Sequence, residues 1–175
     1  AIGNYSMDSA LDGALKNTGV GYGSLGGITT GDSNTALGHN AGVSITTGTE
    51  NVTIGQASGD SISGGSYNTI LGTSSAPTLA GGSYNSIIGR RAGYSLTSGE
   101  YNSALGNAAL YSNQTGFGNV AMGSHAGYSF VGSGGVFLGY EAGRGVSSAD
   151  CVFIGYQSGK RALGTGNVGI GYTAL

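Results

Sequence analysis

Tryptophan is absent from this sequence, and proline, cysteine and charged residues are scarce. There is one Pro and one Cys, and Asp, Glu, Lys and Arg make up 8% of 175 residues, against about 25% in ordinary soluble domains. The net charge of -2 gives no support for a nucleic-acid partner. No apolar run approaches the ~20 residues of a transmembrane helix, so we expect no membrane insertion. The lone Cys151 excludes an internal disulfide, and we expect a packed thiol there.

Glycine is the residue in excess, with 38 copies, well above the usual ~7%. Collagen is excluded, because glycine does not occupy every third position and proline is nearly absent. Disorder is disfavoured, because 38% of the residues are hydrophobic and they recur at fixed places. Glycine therefore has a repeated structural role.

A five-residue phrase recurs along the chain: Asn, then Ser, Thr or Val, any residue, an aliphatic residue and Gly. The spacing between its closing glycines is 18 once, 17 six times and 16 three times, which is typical of a solenoid. We predict one domain, 1–175, with an irregular first coil (1–21), 17-residue coils (22–123) and 16-residue coils (124–171). The closing glycines are Gly3, Gly21, Gly38, Gly55, Gly72, Gly89, Gly106, Gly123, Gly139, Gly155 and Gly171.

The lengths of the apolar runs predict strands and not helices. We number each coil from its closing glycine as position 0, and align the phrase of the shorter coils on the next closing glycine. Runs of a few apolar residues bounded by glycine fit short strands, and glycine costs about 1 kcal/mol in a helix interior. We predict an all-β parallel β-solenoid, a left-handed β-roll of about ten 16–18-residue coils. One strand covers +13 to +16, a second covers +4 to +8, and glycines supply the corners.

Both faces of the phrase strand are apolar. Position +16 is aliphatic in every coil, and position +15 is mostly apolar. Because a coil this thin has one interior, we expect a second surface to cover the other face, most simply an identical chain. We predict a homotrimer and place the +15 column in the seam between chains.

The Asn of the phrase predicts a structural ladder. Stacked Asn side chains can hydrogen-bond from coil to coil, and Asn also suits a turn that enters a strand. The expected ladder comprises Asn34, Asn51, Asn68, Asn85, Asn102 and Asn119.

Tyrosine supplies the candidate binding surface. Two columns of three fall at +12 and +5, and Arg90 and Arg91 lie in the middle of the repeat array. The columns fit either ladder packing that shields edges, or exposed aromatic groups that contact a sugar or protein receptor. The candidate binding residues are Tyr67, Tyr84, Tyr101, Tyr94, Tyr111, Tyr128, Arg90 and Arg91.

Catalytic and metal-binding patterns do not emerge from the sequence. His39 and His125 are far apart, and no acid or nucleophile recurs beside either. The acidic residues are scattered and form no calcium-binding repeat. We therefore expect no enzymatic activity, no metal and no cofactor.

Threonine pairs and the chain ends suggest further possibilities. Thr29-Thr30 and Thr46-Thr47 fall at +8 and +9, as in an ice-binding face, but later coils break the array. Neither end carries a capping sequence, so we expect either a piece of a longer fibre or a unit whose ends meet other copies.

The recurring phrase, followed by Ala-Gly three residues later, resembles the head repeats of trimeric autotransporter adhesins and the Gly-rich repeats of bacteriophage tail fibres. The resemblance implies a trimeric β-roll, extracellular or virion-borne, that projects from a surface and binds a host receptor. Our first hypothesis is therefore a non-enzymatic adhesin or tail-fibre segment. The alternative is a filament subunit that stacks end to end, and the third is an ice-binding solenoid.

Overall fold

The computed structural model of the chain describes residues 1–9 and 11–175. It contains ten strands of three residues each, one in every coil, and no helix in the described residues. The strands are β1 (Thr18–Val20), β2 (Thr35–Leu37), β3 (Val52–Ile54), β4 (Thr69–Leu71), β5 (Ser86–Ile88), β6 (Ser103–Leu105), β7 (Val120–Met122), β8 (Val136–Leu138), β9 (Val152–Ile154) and β10 (Val168–Ile170).

The strands form a single parallel sheet in sequence order, from β1 to β10. Each strand pairs with its counterpart in the next coil without a shift, so that Ile54 pairs with Leu71 and Met122 with Leu138. The offset between partners is 17 residues up to β7 and 16 residues after it. The predicted parallel β-solenoid is therefore confirmed, with about nine turns between the first and the last strand.

The second strand that we predicted at +4 to +8 is wrong. In the coil that begins at Gly38, residues 39–44 form turns, because Asn40 and Gly42 adopt left-handed φ angles of 54° and 55°. The backbone still bonds to the next coil there, since Gly42 N–H donates to the Ser58 carbonyl at 2.9 Å and Ser44 N–H to the Asp60 carbonyl at 3.1 Å. The coils are therefore hydrogen-bonded to one another on this side without an extended backbone.

The closing glycines make the sharp corner after each strand. Gly72 has a φ of 130°, and a Cβ atom at this position would lie 2.6 Å from the carbonyl oxygen of Gly89 in the next coil. Any other residue would meet both a forbidden backbone angle and a backbone clash. This double constraint explains why the glycine recurs without exception.

The interior is built from the +15, +3 and +7 columns. Ile70 and Ile87 at +15 are fully buried, as are Ala92 at +3 and Leu96 at +7. Our placement of the +15 column in a seam between chains is therefore wrong. The middle residue of each three-residue strand points into the coil, and alternation leaves +14 and +16 on the outside.

Asparagine side chains connect the coils through a continuous set of hydrogen bonds. The side-chain amide N–H groups of Asn68 donate to the Asn51 side-chain oxygen at 3.0 Å and to the Gly82 carbonyl at 2.9 Å. The Asn68 oxygen in turn accepts the backbone and side-chain N–H groups of Asn85, both at 3.0 Å. The same pattern links all six residues of the ladder: Asn34, Asn51, Asn68, Asn85, Asn102 and Asn119.

The interior changes where the coils shorten. The Asn119 side chain accepts Gly135 N–H at 2.9 Å, and Cys151, a buried free thiol, takes the ladder position in a later coil. Phe137 and Phe153 fill the +15 positions of these coils. Elsewhere in the interior, the buried Thr53 hydroxyl has no hydrogen-bond partner in the part of the chain that the structure describes.

Candidate functional site

The outer sheet face, formed by the +14 and +16 side chains of the ten strands, carries an aliphatic column at +16 whose members are exposed or half-buried. Leu37 is 48% exposed and Met122 is 46% exposed. Neither column contains a charged residue, and +14 holds only Thr, Ser and Val. The +16 column runs through Ile2, Val20, Leu37, Ile54, Leu71, Ile88, Leu105, Met122, Leu138, Ile154 and Ile170.

The outer sheet face is long and narrow. Ten strands at ~4.8 Å spacing, each of three residues at ~3.3 Å, make a strip of about 450 Å². A standard interface buries ~800 Å² per partner, so flanking residues would have to contribute. The +1 residues come directly after the closing glycines and lie beside this strip. They include the exposed Tyr22, Tyr140 and Tyr156 together with Arg90.

The two candidate tyrosine columns form stacked ladders. Ring centroids are 4.9 Å apart between Tyr67 and Tyr84, and 5.0 Å apart between Tyr84 and Tyr101. The rings of Tyr84 and its two neighbours are nearly parallel. Both faces of Tyr84 are therefore covered by other tyrosines, and the ring can offer a ligand only its edge and hydroxyl.

The +5 ladder is built in the same way and carries cations. Tyr111 lies 4.9 Å from Tyr94 and 4.8 Å from Tyr128, centroid to centroid. The Arg91 guanidinium lies 5.9 Å from the Tyr94 centroid, and that of Arg144 lies 5.7 Å from the Tyr128 centroid. Both distances suit a cation–π contact.

The structure separates the candidates that the sequence placed together. Arg91 joins the +5 ladder, whereas Arg90 lies exposed in the +1 column beside the outer sheet face. The +12 tyrosines form a ladder of their own. The next residue in this column after Tyr101 is Gly118, so one face of the Tyr101 ring is not stacked on a further tyrosine. The eight residues are thus distributed over four columns, +1, +2, +5 and +12.

Sequence analysis missed a charged cluster around Glu141. This buried carboxylate pairs with Arg144 at 2.5 Å and with Lys160 at 2.7 Å, and it accepts a hydrogen bond from Gln157 at 2.8 Å. The Lys160 hydrogen bond is the main reason that the pKa of Glu141 lies below its ordinary value; burial opposes the shift, and Gln157 and Arg144 add to it. The sequence does contain a pattern that could have indicated this cluster, because Arg144 and Lys160 lie 16 positions apart and both occupy position +5.

Only one threonine of each pair has its hydroxyl bonded to the next coil; the other members, Thr30 and Thr47, are exposed, and their column continues with Gly64. The Thr29 hydroxyl donates to the Thr46 carbonyl at 3.1 Å, and the Thr46 hydroxyl donates to the Ser63 carbonyl at 3.2 Å. These hydroxyls are used to join coils. The arrangement gives no support to the third hypothesis.

Comparisons with protein-family models, curated proteins and solved structures found no match to this chain. Within residues 1–9 and 11–175, no three His, Cys, Asp or Glu residues are grouped to hold a metal ion. The same residues include no helix with the length and apolarity needed to span a membrane.

Proposed function

We propose that the chain is a non-enzymatic, rod-shaped segment of an extracellular fibre that self-associates through the outer sheet face. The observation that carries the proposal is an uninterrupted aliphatic column on the bare face of a parallel sheet. Parallel sheets normally have both faces covered. Here the coil covers one face, and a second copy of the chain is the simplest cover for the other.

The apolar character of this face is too regular for ordinary solvent exposure. Single exposed aliphatic residues are common on protein surfaces, but extended apolar patches mark interaction sites. The column persists through all eleven phrases, while charged residues make up only 8% of the chain. Self-association would place these side chains against their counterparts, and three copies is the number that the adhesin resemblance suggests.

The adhesive part of the proposal rests on the resemblance and on the exposed columns. Adhesin head repeats and tail-fibre repeats project from a surface and contact a host, which would place this segment on a cell surface or a virion. The edges and hydroxyls of the tyrosine ladders are suitable for contact with a glycan or protein receptor. The stacked rings favour contact at their edges.

Native mass by light scattering tests the self-association. We expect a stable trimer of about three times 17.1 kDa. Substituting both Leu71→Lys and Leu105→Lys should dissociate it, because each lysine removes about 1 kcal/mol of apolar burial per chain and adds a charge that must be desolvated. Leu163→Lys is the matched control, since Leu163 is 89% exposed and lies outside the outer sheet face.

Each outcome has a defined meaning. A wild-type chain that remains monomeric at high concentration would refute self-association through this face. Equal dissociation by Leu163→Lys would show that added charge, and not the face, is responsible. Growth without limit as concentration rises would replace the discrete trimer with an end-to-end filament. Circular dichroism of the variants checks that the solenoid remains folded.

A further inference from the structure

A concavity of about 300 Å³ lies at the +5 and +6 positions of the shortened coils. Consecutive coils contribute Ser129, then Arg144 and Gly145, then Lys160 and Arg161. The backbone holds these coils in register, since Ser129 N–H donates to the Arg144 carbonyl at 2.9 Å and Gly145 N–H to the Lys160 carbonyl at 2.9 Å. The cavity is thus formed by three coils and belongs to the regular part of the fold.

The concavity is basic, on a chain whose net charge is negative. It collects three of the six Lys and Arg residues, and Glu141 offsets one of the three charges. Three positive charges less one negative charge leave +2 locally, against -2 for the whole chain. The other acid beyond residue 123, Asp150, lies at the +11 corner of its coil.

The cations are held in place but retain free donors. Arg144 is fixed between Glu141 and the Tyr128 ring, while Lys160 is anchored on the second oxygen of Glu141. Their side chains remain 42% and 34% exposed. A guanidinium has five N–H donors and an ammonium has three, so most remain available. Arg161 has no ion-pair or hydrogen-bond partner among the described residues and contributes a third, fully available cation.

From this arrangement we infer that the concavity binds an acidic saccharide, a sugar-sized ligand that carries a carboxylate or sulfate group. Arginine and lysine donors supply the charge-assisted hydrogen bonds that an oxyanion needs. The concavity of about 300 Å³ has room for roughly ten water molecules at about 30 Å³ each. A lone inorganic anion would therefore leave most of it filled with water. The Ser129 hydroxyl lines the same concavity and provides a neutral contact for the rest of a sugar ring.

The site is independent of the proposed self-association. The outer sheet face comprises positions +14 and +16, whereas the concavity lies at +5 and +6. A monomeric chain would still contain the complete site. Failure of the trimer and failure of this site would therefore be observed in different experiments.

Isothermal titration calorimetry on the intact chain tests the inference. The probes are a sulfated heparin oligosaccharide, a carboxylated hyaluronan oligosaccharide, a neutral dextran oligosaccharide and inorganic sulfate. We expect one or both acidic oligosaccharides to bind at low salt and to weaken at high salt, and dextran not to bind. Which of the two binds more tightly distinguishes a sulfate from a carboxylate ligand.

Two variants assign the binding to the cavity. Arg161→Glu should weaken binding by about tenfold or more, because it removes one charge-assisted contact and adds a repulsive one. Glu141 keeps all its partners in this variant, so the fold should be unaffected. Arg90→Glu changes the net charge equally at an exposed position in another column and should leave the affinity unchanged.

Three results would overturn the inference. The first is that no acidic oligosaccharide binds to the wild-type chain. The second is equal weakening by Arg161→Glu and Arg90→Glu, which would indicate diffuse charge attraction. The third is inorganic sulfate that binds as tightly as the oligosaccharides, which would reduce the cavity to a simple oxyanion site.

Discussion

Removing one rung of the asparagine ladder should destabilise the solenoid by an amount that can be worked out from its contacts. Asn68→Ala deletes four side-chain hydrogen bonds, two donated and two accepted. The buried Asn85 backbone N–H loses the partner that the ladder gave it, and the Gly82 carbonyl loses its amide donor. An unsatisfied buried group costs about 1–3 kcal/mol, so we expect a total loss of about 2–4 kcal/mol.

Asn167→Ala is the matched control for this loss. Asn167 occupies the same column in the last full coil, but its side-chain N–H groups donate only to the nearby Leu163 and Gly164 carbonyls, at 2.9 and 2.8 Å. Both of these bonds are exposed, and we expect their removal to cost less than about 1 kcal/mol. The two variants thus remove the same side chain with and without the ladder.

A third variant separates hydrogen bonding from packing. Asn68→Asp keeps an oxygen that can accept from Asn85, but it replaces the amide donor with an oxygen that faces the Gly82 carbonyl and the Asn51 side-chain oxygen. We expect a larger loss than for alanine at neutral pH, because a buried unpaired charge is costly. The loss should shrink as pH falls, since protonation restores one donor.

Denaturant unfolding followed by circular dichroism measures these differences, with the slope of the transition checked for each variant. Solenoids can unfold in stages, so a changed slope would indicate local opening around the altered coil. If Asn68→Ala costs no more than Asn167→Ala, the ladder does not contribute to stability as argued.

The other predictions concern single positions. Thr53→Val should raise the free energy of unfolding by about 1 kcal/mol, because it removes a buried hydroxyl that has no partner, and thermal melting measures the change. Gly72→Ala should cost about 3 kcal/mol or more in denaturant unfolding, since the φ of 130° and the 2.6 Å approach of a backbone oxygen both oppose a Cβ. The lowered pKa of Glu141, caused first by Lys160, should add stability above the ordinary value of 4.5 that is lost as pH falls through the lower folded value. The free energy of unfolding should therefore decline as the pH falls below 4.5 in the wild type, and it should decline less in Glu141→Gln.

Each of these predictions has a result that contradicts it. A lower melting temperature for Thr53→Val would mean that packing, and not the unsatisfied hydroxyl, dominates at this position. Gly118→Ala controls for Gly72→Ala, because its φ is 65° and a Cβ atom there would have no other atom within 4 Å; equal losses would refute the role of the clash. Identical pH profiles for wild type and Glu141→Gln would remove the linkage to Glu141.

The regular spacing of the closing glycines was sufficient to predict the parallel coils. The structure explains this spacing, because each closing glycine has a φ angle near 130°, which admits only glycine. It could not decide which side of the strand faces inward. Ile70 and Leu71 are equally apolar, yet one is buried and the other is 40% exposed. Alternation alone gives two choices for a strand that is apolar on both faces.

The remaining errors have local causes. The aliphatic residue at +7, such as Ile45, indicated a strand, but left-handed residues at +2 and +4 curl the chain before it reaches that position. The cluster around Glu141 was missed because its residues come from two coils. Arg144 and Lys160 meet one carboxylate only once the turn between +2 and +5 is known.

The unshifted pairing of every coil with the next makes the length of the rod independent of its cross-section. Residue Ile54 pairs with Leu71, and Leu71 with Ile88, at the same offset of 17 residues. Inserting or deleting one such unit in this region would keep every column aligned and would change the length by about 4.8 Å. The length of such a solenoid can therefore evolve by duplication of a short stretch of gene, without any redesign of the core.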